Sequence, residues 1–556
     1  MPVIIDQRRP FGPKLRAGLW LPEDWNELPM KKTLAFLMVL LLAPVAAVRA
    51  DDFHPSGKIT PPAFARTNVL IGGAGGINAV MLTPVKPITS NPWLLAPAFY
   101  DPGDPAVANL NRVERELARL GFHVVCVPPG AGPGGIDPLA VWNYVYQEMT
   151  GKYNLSKSVL LLGVGDDGPA VLRWAAGHPG KVPCIYLDTA VCDVPPNLLA
   201  QLVAGKTAIL YVAGSQDDHV PFAENGGRLQ EQYRQLKGSF KLIMRSDEGG
   251  GSHGLADPGP IMDFIRYRAA GNPEPTFAAV PYGSHSMEIM DFWRAQSPHP
   301  TPVALFMHGG GWLTGSRFDV SGVQDYLKAG ISVASMEYRF TPEAVAEGIK
   351  PPVKGPMDDI ARAVQFIRSQ AGEWNVRKDR IAAFGGSAGA CSSLWLAFHK
   401  DMAVPESPDP VARESTRLWC VAALAPQTSL DPQQMRAWTP NSNYGGHAFG
   451  FTGDPTRKRS QFDVFFANRG KILPWIAEYS PYALATADAP PVYLYFPTPP
   501  DVGHVQKDPT HTANFGVKLA ERLQELKVPC ELVYPGAPDI IHRNAREYLI
   551  DHLNAP

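Results

Sequence analysis

Short apolar runs alternate with segments of helical period along most of this chain. In the first half, Leu94–Phe99, His123–Val127, Val159–Leu162, Pro183–Leu187, Ala208–Val212 and Lys241–Met244 alternate with Val107–Leu120, Leu139–Met149 and Glu224–Leu236. In the second half, strand-like Arg380–Phe384, Trp419–Leu424, Val492–Phe496 and Pro529–Tyr534 alternate with helix-like Cys391–Phe398, Phe515–Leu526 and Asn544–Leu553. Apolar strands separated by helices predict an α/β class: mostly parallel sheets with helices on both faces. A chain of 556 residues is too long for one ordinary domain. The Pro-rich stretch Asn272–Thr276 reads as a linker. It divides the chain into residues 51–276 and 277–556.

The first fifty residues break the pattern. Met30-Lys31-Lys32, the apolar Thr33–Ala43 and Val48-Arg49-Ala50 have the layout of a signal peptide over residues 30–50. The expected destination is secreted or periplasmic, with no stable membrane insertion after cleavage, because the apolar stretch is too short to span a bilayer. Residues 1–29 read as an extension from an upstream start codon.

Composition narrows the function. Lys and Arg total 51 and Asp and Glu 53, so nothing points to a polyanion, and no nucleic-acid partner is expected. The 56 prolines, roughly twice average usage, suggest stiff loops. The six cysteines lack metal spacing and several fall in strand-like runs, as small buried apolar residues would. The glycine clusters Gly72–Gly76 and Gly130–Gly135 fit no dinucleotide fingerprint and read as loops. Neither cofactor nor metal is expected.

Two strings carry chemistry. Gly385-Gly386-Ser387-Ala388-Gly389 lies between an apolar run and a helix, which puts Ser387 on a sharp strand-to-helix turn with its hydroxyl exposed. His308-Gly309-Gly310-Gly311-Trp312 also follows an apolar run. Backbone N–H groups of Gly310, Gly311 and Ala388 are the expected oxyanion hole. Met307–Gly315 and Asp379–Ala390 together resemble the hormone-sensitive-lipase-like and carbohydrate-esterase branches of the α/β-hydrolase superfamily. The resemblance covers about the last half of the chain. It implies a serine esterase in which an acid and then a histidine follow the nucleophile.

In that order His542, after the last strand-like run, is the expected base; His504, His511 and His552 lie at less suitable positions. Two carboxylates follow Val492–Phe496. Asp508, nearer the next helix, is the expected acid, and Asp501 is the alternative. The acid fixes the tautomer of the base and stabilises the imidazolium. The long aromatic insertion between Leu424 and Val492, with Trp438, Tyr444, Phe449, Phe462, Phe465 and Trp475, is expected to cap the nucleophile and in part line its pocket.

Residues 51–276 also resemble an α/β-hydrolase, with one departure. Leu160–Gly168 occupies the elbow, but Gly165 stands where the family has serine. The candidate base His253 then has no nucleophile to serve, so this half reads as a catalytically inactive hydrolase fold. A shifted register would instead make Asp166 a carboxylate nucleophile, as in haloalkane dehalogenases and epoxide hydrolases. The loop Gly214–Pro221 resembles the superfamily's acid loop.

The expectation for the whole chain is two tandem α/β-hydrolase folds, the second with a cap. The resemblance implies an exported serine esterase removing acetyl or feruloyl groups from plant polysaccharide. A short-chain carboxylesterase acting on small esters is the near alternative. An inactive binding or scaffold protein is the alternative from another class.

Overall fold

The alternation builds two eight-stranded sheets. The structure, a computed structural model, describes residues 63–555 apart from 72–76, 89, 98–107, 128–136, 215–216, 218 and 246–252. The upstream extension, the export signal and both glycine clusters lie outside the described residues. The first sheet contains β1 (Phe64–Ile71), β2 (Ile77–Pro84), β3 (Trp93–Ala96), β4 (His123–Cys126), β5 (Val159–Gly165), β6 (Cys184–Ala190), β7 (Ala208–Gly214) and β8 (Phe240–Arg245). The second contains β9 (Phe277–Pro281), β10 (Ile289–Trp293), β11 (Thr301–Met307), β12 (Ser332–Met336), β13 (Val376–Gly386), β14 (Val421–Leu424), β15 (Val492–Tyr495) and β16 (Cys530–Val533).

The two sheets share one topology. Their orders are β1-β2-β4-β3-β5-β6-β7-β8 and β9-β10-β12-β11-β13-β14-β15-β16. In each, the first two pairings are antiparallel and the rest parallel. Both are α/β-hydrolase-like folds. β5 of the first sheet thus corresponds to β13 of the second, and the glycine and serine at their ends are topological equivalents.

The sequence pattern explains the central strands. Residues on β5 and β6 are buried almost throughout, with Leu161 and Leu187 on one side of the sheet and Leu160, Leu162 and Tyr186 on the other. The second sheet likewise buries Leu305 and Ala383 on one face and Phe306 and Phe384 on the other. Such strands leave no solvent face to alternate with, hence the continuous apolar runs. All six cysteines are unpaired and five are buried.

The expected linker is built into the second core. Asn272 is 2 % exposed. Its side chain donates to the Val320 carbonyl at 2.7 Å and accepts from Val323 N–H at 3.4 Å. The Trp293 indole donates to the Pro273 carbonyl at 2.8 Å, and Tyr267 packs among Trp293 and Phe318. Proline content made this stretch look like a linker, but the Asn272 side chain and the Pro273 carbonyl are bonded by residues of the second half, and Glu274 pairs with Lys241 on β8. Asn272→Ala should therefore destabilise the protein by about 1–3 kcal/mol, the cost of leaving a buried partner unpaired. Thermal unfolding checks this; an unchanged midpoint would mean that the stretch is a spacer after all.

Candidate functional site

Ser387 ends β13 in a conformation that few side chains adopt, with φ 54° and ψ −120°. A non-glycine residue held there costs about 1–3 kcal/mol and persists only where its surroundings fix it. The Ser387 N–H donates to the Leu424 carbonyl on β14 at 2.9 Å. Its own carbonyl accepts from Cys391 N–H at 2.9 Å, the first bond of the helix Ala388–Phe398. The two motif glycines are required by close approach. A Cβ on Gly385 or Gly389 would stand 2.2 or 2.1 Å from the Met307 carbonyl oxygen on β11. The elbow therefore lies directly on the end of the strand that leads into the other glycine string.

That contact brings the second string to the serine. A Cβ on Gly309 would lie 3.6 Å from Ser387 Cβ. Gly310 and Gly311 have φ of +94° and +66°, which glycine tolerates without steric cost. The Ala388 N–H, at the first helical position, has no partner within its helix. The cap insertion holds the loop from outside, where His447 Nε2 donates to the Gly311 carbonyl at 2.8 Å. Burial pushes the His447 pKa down, partly offset by this bond, which favours the neutral donor. The Tyr444 hydroxyl, buried and without a hydrogen-bond partner, lies beside Gly311. Trp438, Phe449, Phe462 and Phe465 instead pack into the main core.

The structure does not bring His542 to Ser387. His511 stands there: its Nε2 lies 2.9 Å from Ser387 Oγ and its Nδ1 2.8 Å from Asp508 Oδ2. Asp508 Oδ1 also accepts the N–H groups of Thr510 and His511 at 3.0 and 3.2 Å. This tight turn folds the imidazole back over a carboxylate three residues upstream. Burial works to raise the Asp508 pKa, but the His511 and backbone hydrogen bonds outweigh it and hold the carboxyl low. His542 faces away, with Nδ1 2.8 Å from Glu531 Oε2 on β16 and Nε2 3.5 Å from Asp551 Oδ2. A carboxylate on the last strand holds it instead. Asp501 pairs with His504 at 2.8 Å, on the exposed side of the same loop.

The first sheet repeats the elbow without the hydroxyl. Gly165 has φ +52°, within 2° of Ser387, and among the described residues a Cβ there would meet nothing within 4 Å. Asp166 follows, exposed. His253 Nδ1 lies 3.1 Å from Asp188 Oδ1 at the end of β6, a partner the sequence reading did not name. Asp188 is fully buried and also accepts from the Tyr186 hydroxyl and Gly254 N–H. In the resembling loop, Asp217 accepts the N–H groups of His219 and Val220 and so shapes its own turn. Among the described residues no helix is long and apolar enough to cross a membrane.

Parts of the chain are similar to known proteins. A non-reducing polyketide synthase of Aspergillus calidoustus is 27 % identical over 290 residues, 46 % of this chain but 11 % of the synthase. A versiconal hemiacetal acetate esterase of Dothistroma septosporum is 27 % identical over 177 residues, 30 % of this chain and 46 % of that enzyme. The chain thus spans less than half the length of either relative. An acetyl ester-xyloside bifunctional hydrolase from Caldicellulosiruptor lactoaceticus superposes with a TM-score of 0.34 at 20 % identity, covering 44 % of this chain and 76 % of that one. Residues 290–449, which include the glycine string and the serine elbow, match the BD-FAE family model. Residues 290–449 are thus similar to the BD-FAE family of α/β-hydrolases, and the likeness extends to neither end of the C-terminal half.

Proposed function

We propose that the C-terminal half hydrolyses carboxylic esters through an acyl-enzyme on Ser387, with His511 as the base and Asp508 as the acid that orients it. The observation that carries this is the unbroken chain Ser387 Oγ, His511 and Asp508, with contacts of 2.9 and 2.8 Å. His511 Nε2 takes the serine proton as Oγ attacks the ester carbonyl, then gives it to the leaving alcohol. The N–H groups of Gly310, Gly311 and Ala388 receive the oxyanion. Water, activated by the same imidazole, releases the acid. Gly165 gives the first sheet no comparable nucleophile, and that half is read as catalytically inactive.

The proposed substrates are, in first place, acetyl or feruloyl esters of plant polysaccharide, met by an exported enzyme. The resemblance to carbohydrate esterases supports that choice. A small-molecule ester is the second reading, favoured by the relative whose name is that of a hemiacetal acetate esterase. Acetylated and feruloylated oligosaccharides set against the matching small esters decide between them by kcat/KM.

Ser387→Ala should lower turnover of 4-nitrophenyl acetate by about 10⁴-fold or more with the fold intact, as loss of a triad nucleophile does. Retention of a tenth of the activity would sink the assignment. His511→Ala should lose activity on the same scale, whereas His542→Ala should keep most of it; the reverse order would restore His542 as the base.

The loop bearing the oxyanion donors is braced by a buried acid. Glu337 Oε2 lies 3.3 Å from His308 Nε2, and its Oε1 accepts from Ser316 Oγ and Arg317 N–H at 2.8 and 3.0 Å. Burial tends to raise its pKa, but the contact with His308 and the bonds and charge of Arg317 bring it down to about 2. A carboxyl whose pKa is depressed on folding stabilises the native state fully above its unfolded value and loses that contribution as pH falls towards the folded one. Glu337→Gln should therefore be less stable than wild type at pH 7, by about 3 kcal/mol at most. The gap should narrow between about pH 4.5 and about pH 2. Urea unfolding at pH 7 and pH 3 checks the sign; a gap that widens on acidification would refute it.

A further inference from the structure

The N-terminal half sends one helix into the charged network behind the oxyanion loop. The helix Gly259–Ala269 contributes Asp263, Arg266 and Tyr267. The Tyr267 hydroxyl donates to Asp291 Oδ2 at 2.8 Å, and Arg317 Nε donates to the same oxygen at 2.8 Å. Arg317 Nη1 lies 3.3 Å from Glu337 Oε1, and Nη2 lies 3.9 Å from Asp263 Oδ2. Arg266 donates to Ser316 Oγ at 2.9 Å and stacks 3.6 Å over the Phe318 ring. Ser316 in turn donates to Glu337, whose other oxygen faces His308, the residue that opens the glycine string.

This network is buried at its centre. Asp291 is fully buried, and Arg317 and Glu337 are 7 % and 6 % exposed. In such surroundings each carboxylate and guanidinium depends on its partners, because removing one leaves a desolvated charge. Asp291 has three donors, namely Tyr267, Arg317 and Ala279 N–H. Arg317 has three carboxylates, those of Asp263, Asp291 and Glu337. One donor and one of these carboxylates come from the N-terminal half. The second sheet with its loops cannot complete the set alone.

We propose that the N-terminal half acts on the esterase site through this helix, with Tyr267, Asp263 and Arg266 as positioning residues. They fix Arg317, Arg317 fixes Glu337, and Glu337 fixes His308 and hence the backbone donors of Gly310 and Gly311. This rests on the proposed esterase activity and gives the half with Gly165 at its elbow a defined role in it. None of the three residues touches the reacting atoms. Their effect is on where the oxyanion donors stand, and donor placement counts more in the transition state than in the bound ester. Loss of positioning should appear in kcat with little change in KM.

The full chain is compared with its Tyr267→Phe, Asp263→Asn and Tyr233→Phe variants. Tyr233 is a matched control: it is equally buried, and its hydroxyl donates to the Thr207 carbonyl at 2.8 Å, far along the chain from the network. Two readouts are used, hydrogen exchange of the 308–316 backbone and turnover of 4-nitrophenyl acetate. Tyr267→Phe and Asp263→Asn should speed exchange of the loop and lower kcat, each by about 10-fold, with KM within about 3-fold of wild type, since a misplaced donor of this kind costs at most about 10²–10³-fold when removed outright. Tyr233→Phe should leave both unchanged. Wild-type loop protection and kcat in both network variants would overturn the proposal, as would an equal effect in Tyr233→Phe. A wild-type protein that turns over no ester defeats the esterase reading instead, and loop exchange still decides whether the helix positions the loop.

Discussion

The site depends on one close approach, the elbow against the Met307 carbonyl. With Gly385 and Gly389 both lacking Cβ atoms, the β13 turn and the start of the next helix come down onto the last residue of β11. The chain leaving Met307 is the glycine string, so this single contact sets the distance between Ser387 and that string. The strain at Ser387 follows from it. A turn pressed this tightly against a neighbouring strand leaves the serine only a positive φ, and the bonds to Leu424 and Cys391 hold it there.

This dependence explains what was legible in the sequence. The turn at Ser387 and the glycine string could be read because their pattern is local: small residues, a preceding apolar run and a following helix within a dozen positions. The histidine beside Ser387 could not be read in the same way. The expectation for His542 rested on the order of elements, and it lies in the expected place, after the last strand and before the last helix. What the order could not show was Glu531 on β16, which holds the imidazole. The overlooked signal was Asp508-Pro509-Thr510-His511. An aspartate that accepts two backbone N–H groups across a tight turn turns the third residue back over itself, so that Asp508 and His511 arrive as one preassembled piece.

The central strands were visible because they are apolar on both faces, whereas β1, β2, β9 and β10 were not. β1 exposes most of its residues and β9 nearly all of them in part, so neither forms an apolar run. Their pairing is decided by the sheet they extend. The linker was misread for a related reason. Proline frequency describes the stiffness of a segment, but burial of Asn272 is set by the Val320 carbonyl, 48 positions away.

The identical strand order of the two sheets makes Gly165 informative. Its φ of +52° is close to that of Ser387, so a positive-φ turn stands at the equivalent strand end where no hydroxyl is carried. The turn geometry is therefore a property of the fold, and the chemistry is a separate addition to it. A half with glycine at that turn can still contribute rigidity. The helix Gly259–Ala269 carries Tyr267 into the second core and Asp263 and Arg266 to the charges behind the oxyanion loop. Because those charges are buried, their positions are coupled to the helix more tightly than an apolar contact of similar size would require.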